Sequence, residues 1–274
     1  MTVHERLVQV IARDERAVLF TVIRGEPLGA RALVLEGGEV VGDGLAGLER
    51  HADEAIRAGR NRQLELDGST LFCEVYGPPP RLLVYGAVDT AEALSRFANE
   101  LGWHTIVADA RAKFVTRERI PSADELIVAW PDETLAQVQP DHATAVVILT
   151  HDDKFDLPAI RGALATEAFY IGALGSRRNQ ARRRERLLEA GVAEAELDRI
   201  SGPTGLDIGA ETQEETALSI LAEIVARRWG REGGPLSKTK GRIHVEVPDE
   251  VPGTADVARG MDEDAQRGMT QPIG

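Results

Sequence analysis

The 274-residue chain has a single cysteine, no long apolar run and fewer cations than acids. Cys73, standing alone, excludes an internal disulfide framework and any metal site built of cysteines. It falls in an apparent strand with no activating partner in view, and so reads as a buried, inert thiol. No apolar stretch approaches the roughly 20 residues that cross a bilayer. Met1-Thr-Val-His-Glu-Arg6 runs directly into an amphipathic pattern, so no membrane span and no signal peptide are expected, and the chain reads as cytoplasmic. The formal net charge of −13 disfavours nucleic acid as a partner. An anionic ligand would have to be held by a local basic pocket working against the global field. What the chain does have is 43% hydrophobic and 28% charged residues, enough for one or two domains with real cores. It contains no internal repeat.

Residues 1–77 read as a small α+β domain. A helix at about 4–13 precedes strands at 17–23, 31–35 and 39–41, the last two joined by the hairpin signature Glu36-Gly-Gly38. A helix at about 47–58 and strands near 62–66 and 70–76 follow. Gly77-Pro-Pro-Pro80 can continue neither helix nor sheet and reads as a short stiff linker. Residues 81–230 then alternate. Apolar strands are expected at 81–85, 103–108, 125–128, 144–149 and 168–171. Helices are expected at about 90–101, 157–165, from Ser176 onward, and at about 214–229. Such alternation predicts an α/β fold: a Rossmann-like parallel sheet with helices on both faces, preceded by the small α+β domain. Residues 231–274, rich in glycine, proline and charge, read as a flexible tail whose one strand-like pattern lies at 243–247.

Within the second domain, Ala168-Phe-Tyr-Ile-Gly-Ala-Leu-Gly-Ser-Arg-Arg178 describes a strand that turns on Gly172 and Gly175 into a helix opened by Ser176. Unpaired backbone N–H groups and the helix dipole favour an anion there. Arg177 and Arg178 add positive charge where the dipole alone prefers acids, which points to a ligand, a phosphate by its chemistry. The competing reading is an ordinary turn capped by Ser176 with solvated arginines. The further arginines Arg182, Arg183, Arg184 and Arg186 read as a solvated face. After the first strand, Gly86-Ala-Val-Asp-Thr-Ala91 keeps the first and third positions of G-x-G-x-x-G/A. Val88 replaces the glycine that admits a pyrophosphate, and Asp89 adds a carboxylate. Asp109 holds the usual place of the ribose-binding acid. The balance speaks against tight NAD(P) binding and favours a plain turn with Asp89 or Thr90 as helix cap. His151, Asp152 and Asp153 follow a strand's carboxyl end, where they face a ligand crevice. They could bind a metal or move a proton; alternatively, Asp152 or Asp153 caps the next helix. Gly202-Pro-Thr-Gly-Leu-Asp-Ile-Gly209 brings backbone close to a ligand or another chain, and Thr212 to Glu215 fits a capping box.

Four segments resemble, in order, the XdhC/CoxI family of molybdenum-hydroxylase maturation proteins. They are Thr150-His151-Asp152, Tyr170-Ile-Gly-Ala-Leu-Gly-Ser-Arg-Arg178, Gly205-Leu-Asp-Ile-Gly-Ala210 and the helix from Thr212 to Ile224. Gly29-Ala-Arg-Ala-Leu-Val34 and Val41-Gly-Asp-Gly44 resemble that family's N-terminal module in shortened form. The resemblance implies an accessory protein rather than a free-standing enzyme. Such a protein binds and protects the molybdenum cofactor (molybdopterin) and works with a cysteine desulfurase that adds the terminal sulfido ligand. It delivers the cofactor to a xanthine dehydrogenase or carbon monoxide dehydrogenase-type hydroxylase, and family members are expected to form homodimers. The implied cofactor-binding set is His151, Asp152, Gly172, Gly175, Ser176, Arg177, Arg178, Gly205 and Asp207, with Gly86 and Asp109 at the first turn. Two departures stand out. The family's S-G-G-C segment corresponds here to Gly44-Leu-Ala-Gly-Leu-Glu49, without cysteine, and its G-A-G-H-V turn to Gly86-Ala-Val-Asp-Thr90. Competing expectations are an NAD(P)-dependent oxidoreductase using Gly86 and Asp109, and a ligand-free scaffold acting through protein contacts.

Overall fold

The computed structural model describes residues 1–42 and 45–239. Gly44 and the 243–247 pattern lie outside the described residues, as does most of the expected tail.

The chain opens with α1 (Val3–Ala12), whose Thr2 and Glu5 form a capping box. β1 (Ala17–Arg24), β2 (Arg31–Leu35), β3 (Val40–Val41), α2 (Glu49–Ala58), β4 (Arg62–Leu66) and β5 (Ser69–Tyr76) follow. The strands form an antiparallel sheet ordered β3-β2-β1-β5-β4. Gly37 and Gly38 both adopt positive φ, as the Glu36-Gly-Gly38 hairpin signature requires. Alternation along β1 splits the core between two faces. Val18, Phe20 and Val22 meet Ala52, Ala55 and Ile56 of α2, whereas Ala17 and Leu19 join Val10 of α1.

The second sheet is parallel. Its elements are β6 (Arg81–Tyr85), α3 (Asp89–Glu100), β7 (His104–Asp109), β8 (Glu125–Val128), α4 (Pro131–Val138), β9 (Thr144–Ile148), α5 (Asp153–Leu164), β10 (Tyr170–Ala173), α6 (Arg177–Glu189), α7 (Glu194–Leu197), β11 (Ile200–Ser201) and α8 (Gln213–Arg228). The order β11-β10-β9-β6-β7-β8 is that of a Rossmann sheet, and the protein is an α/β Rossmann fold beside an antiparallel sheet. Continuous apolar strands bury both faces. Leu82 and Val84 pack with α3 and α8, while Leu83 and Tyr85 pack with α5 and α6. The strand order reverses between β6 and β9, so a crevice lies beyond their carboxyl ends. An ion pair from Arg16 to Asp141, 2.7 Å long, links the residue before β1 to the segment before β9. No described helix is long and apolar enough to cross a membrane.

The structure departs from the sequence reading in four places. α4 was not expected, although Pro131 stands at its first turn and Glu133 reaches back to the Trp130 N–H, both start signals. α5 starts at Asp153 rather than 157, because Asp152 caps it and Pro158 sits inside. β10 runs to Ala173, so Gly172 lies within the strand and not in the turn. The two-residue strand β11 and the one-turn α7 are too short to leave a period.

Candidate functional site

The first glycine turn is spent on internal contacts. Gly86, at φ 117°, would place a Cβ 3.1 Å from the Thr150 backbone nitrogen, so only glycine fits. The next amide, Ala87 N–H, donates to Asp109 Oδ2 at 3.2 Å. Asp109 is fully buried, and Arg111 grips it with its backbone N–H (2.9 Å), Nε (2.8 Å) and Nη2 (2.8 Å). Burial pushes this carboxyl up, but the Arg111 and Ala87 hydrogen bonds outweigh it and hold it below its ordinary value. The acid expected to read a ribose is instead an internal clamp. The helix cap is Val88, with no side-chain bond, and not Asp89 or Thr90 as expected. Asp89 lies exposed in the first turn, paired with Arg119 at 3.2 Å, and the buried Thr90 hydroxyl donates to Gln213.

A buried polar web joins the turns after β9 and β10. The Thr150 hydroxyl donates to Asp156 Oδ1, and Asp156 Oδ2 accepts from Arg183 Nη2 at 2.7 Å. Arg183 also donates to the Leu174 carbonyl (3.1 Å) and to Gln180 Oε1 (2.6 Å), and Gln180 donates to the Ala173 carbonyl (2.8 Å). Arg183 is 7% exposed and therefore not part of a solvated face. The sequence signal for this was available: Arg183 stands four residues before the buried Leu187, on the same face of α6. His151 is exposed at the crevice edge. Asp152 caps α5, accepting from the Lys154 N–H at 3.2 Å, and Asp153 pairs with Arg186. Among the described residues no group of three or more His, Cys, Asp or Glu is placed to hold a metal ion.

At the next turn, Gly172 permits close packing. A Cβ there would lie 2.5 Å from Thr204 Oγ1 and 2.7 Å from Tyr170 Cε1. Gly175, at φ 140°, reverses the chain, and Ser176 caps α6 by accepting from the Asn179 N–H at 3.2 Å. The Ser176 capping role is thus met. It nevertheless leaves the backbone N–H groups of Gly175, Ser176, Arg177 and Arg178 without acceptors among the described residues. Arg177 and Arg178 are exposed and form no ion pair among the described residues, and the first turn of α6 holds no acid. Amides without acceptors, the helix dipole and two cations therefore lie within one short segment, a combination that favours an anion.

The loop at 202–209 is anchored beside it. Thr204 N–H donates to the Ala173 carbonyl (3.1 Å) and its hydroxyl meets Tyr170 OH (2.6 Å). Tyr170 donates to Glu223 Oε2 (2.7 Å), which also accepts the Gly205 N–H (2.7 Å). Burial first, and then the Glu223 carboxylate, push the Tyr170 phenol above its ordinary value. Gly205, at φ 112°, would set a Cβ 2.4 Å from Ser219 Oγ. Asp207 and Ile208 project, exposed, from this fixed root. Sequence reasoning missed Tyr170 and Glu223 as positioning groups. Glu223 interrupts the apolar stripe of α8 from a buried position, which was the available clue.

Residues 82–224 match the family model described as the XdhC Rossmann domain, more than half of the chain, and the chain belongs to that family. A Bacillus subtilis (strain 168) protein, named as a probable component of xanthine dehydrogenase, is 35% identical over 160 residues, covering 58% of this chain and 46% of its own. The Escherichia coli (strain K12) molybdenum cofactor insertion chaperone PaoD is 31% identical over 157 residues, covering 57% of this chain and 43% of its own. The match thus spans less than half the length of either relative. A solved structure described as a xanthine dehydrogenase from Bacillus halodurans superposes with a TM-score of 0.61 at 26% identity, covering 83% of this chain and 64% of the other.

Proposed function

We propose that this protein is an accessory factor that binds the molybdenum cofactor by its phosphate and delivers it to a xanthine dehydrogenase-type hydroxylase. The observation that carries this reading is the open turn before α6. Among the described residues, four amides without acceptors, a helix N-terminus and two arginines without ion pairs, Arg177 and Arg178, adjoin there, on a chain of net charge −13. The donor set suits a phosphate and not metal ligation. The only thiol, Cys73, is buried in the first sheet, away from the crevice. The relative named as a molybdenum cofactor insertion chaperone supports the choice of ligand.

Arg177, Arg178 and the Gly175–Ser176 backbone would hold the phosphate. His151, Asp152 and Asp207 would supply polar contacts from the crevice rim. When bound, the cofactor brings the molybdenum centre that the client hydroxylase uses, and this chain's part is to bind, orient and shield it. Gly172, Thr204, Tyr170 and Glu223 keep the neighbouring loop in register, and Gly86 with Asp109 fixes the sheet end without touching ligand. A client hydroxylase and a cysteine desulfurase are the partners this role requires, and a homodimer is the assembly it takes from the family resemblance.

The test is to purify the full chain from a host that makes the cofactor, oxidise it and measure pterin fluorescence. Wild type should carry pterin, and Arg177→Glu/Arg178→Glu should retain little or none, since two charge-assisted bonds lost at roughly 1.5–3 kcal/mol each weaken binding at least about a hundredfold. Equal pterin on both proteins, or none on wild type, would overturn the proposal; the latter outcome favours a ligand-free scaffold.

A further inference from the structure

At the amino ends of the parallel strands, opposite the crevice, stands Arg228. Among the described residues the two buried guanidinium groups meet carboxylates, Arg6 with Glu15 and Arg183 with Asp156, and the half-buried Arg16 meets Asp141. Arg228, half-buried in the last turn of α8, has no carboxylate partner and donates no hydrogen bond among the described residues. It lies 5.3 Å from the rings of both Trp103 and Trp229. Burial pulls its pKa below the ordinary value, with no opposing cause. Its Nη2 reaches the carboxyl end of α2, where a Cβ on Gly59 would lie 2.9 Å away.

A cavity of about 110 Å³ opens at this point. Arg57, Arg227, Arg228 and His142 line it over an apolar floor that includes Ile56 and Phe169. Among the described residues no carboxylate lines it. Arg57 is exposed and has no partner among the described residues. His142 Nε2 is buried and makes no hydrogen bond, while its Nδ1 lies 3.8 Å from Glu36. The last-turn arginines answer the dipoles of α2 and α8, whose ends carry about half a negative charge each, and Glu223 stands 3.8 Å from Arg227. Three guanidinium groups exceed that demand.

We propose that this seam is a second binding site, one that takes a phosphate-sized oxyanion between α2 and α8. Planar guanidinium forks match phosphate oxygens, and the tryptophan rings hold Arg228 in place before the anion arrives. The apolar floor strengthens each charge contact. A bound anion would tie the antiparallel sheet's helix to the Rossmann domain's last helix. The site shares no residue with the turn before α6 and stands whether or not the cofactor binds there.

The test is titration of the full chain with inorganic phosphate and with glycerol phosphate at constant ionic strength, followed by tryptophan fluorescence. Two of the three tryptophans flank Arg228. A saturable change is expected in wild type and equally in Arg177→Glu/Arg178→Glu. Arg57→Gln, at an exposed position, should raise the dissociation constant about tenfold, the loss of one charge-assisted contact. Tighter binding of glycerol phosphate assigns the site to a phosphate ester, and tighter binding of inorganic phosphate to the free ion. No saturable change, an unaltered constant in Arg57→Gln, or loss of the change in Arg177→Glu/Arg178→Glu would overturn the proposal.

Discussion

Replacing Arg183 by leucine should be among the most damaging single changes in the Rossmann domain. The side chain is 7% exposed, and it answers three groups at once: the Asp156 carboxylate, the Leu174 carbonyl and the Gln180 amide oxygen. Its loss leaves Asp156 buried with only the Thr150 hydroxyl. Removing one partner of a buried pair costs about 3–5 kcal/mol, because the remaining charge keeps its desolvation penalty. At roughly 2–4 °C per kcal/mol for a protein of this size, Tm should fall by about 6–20 °C. Urea unfolding followed by circular dichroism should show a lower midpoint at unchanged slope. Arg183→Leu/Asp156→Leu should lose less than the sum of the two single variants, the coupling expected of contacting residues. Arg182→Leu is the control: its side chain is 55% exposed, it sits 3.7 Å from Asp153, and it should cost under about 0.5 kcal/mol. A loss below about 1 kcal/mol for Arg183→Leu would mean that the pair is solvated and that no buried web joins the two turns.

Two further outcomes follow from titratable groups. Burial would raise the Asp141 carboxyl, but hydrogen bonds from Thr144 and Arg16 and the charge of Arg81 hold it well below the usual carboxylate range. A depressed folded pKa gives stability that is fully present above the unfolded value of about 4 and is lost as pH falls through the folded one. The stability gap between wild type and Asp141→Asn should therefore be constant from about pH 6 to 7 and shrink below about pH 4. A gap that persists into strong acid refutes this. Burial pushes the Cys73 thiol up to about 11, so little thiolate exists at pH 8. Ellman's reagent should label the native chain very slowly and one thiol per chain in urea; rapid native labelling would place Cys73 at the surface.

Much of the fold was legible because its signals are periodic. The apolar runs at β6, β7 and β9 and the amphipathic α8 are long enough to announce themselves, and the strand order follows from right-handed crossovers. β11 and α7 were not legible, since two residues or one turn carry no period. At the site, the sequence located the turns but misjudged which groups remain open. The carboxylate of Asp109, placed where a ribose would be read, is consumed by Arg111, two residues on, a contact that depends on how the chain bends after β7. Arg183 and Glu223 look like surface charges in a charged helix, and become internal only because α6 and α8 turn those faces to the sheet.

The two glycine turns at the same sheet edge thus reach opposite ends by one physical rule. A buried amide must find an acceptor. At Ala87 the chain supplies its own, Asp109, whose carboxylate Arg111 holds in place, so that amide is not open to a phosphate. Before α6 the described residues supply only Ser176, which satisfies Asn179 and leaves the amides of Gly175 to Arg178 to solvent or ligand. The arginines there make the same point from the charge side. At a helix N-terminus they work against the dipole, so Arg177 and Arg178 lower the stability of α6 unless an anion stands between them and the helix end. On that basis Arg177→Glu/Arg178→Glu should raise the melting temperature of the ligand-free chain even as it abolishes pterin retention. A ligand site explains both effects, whereas a merely solvated arginine pair explains only the first.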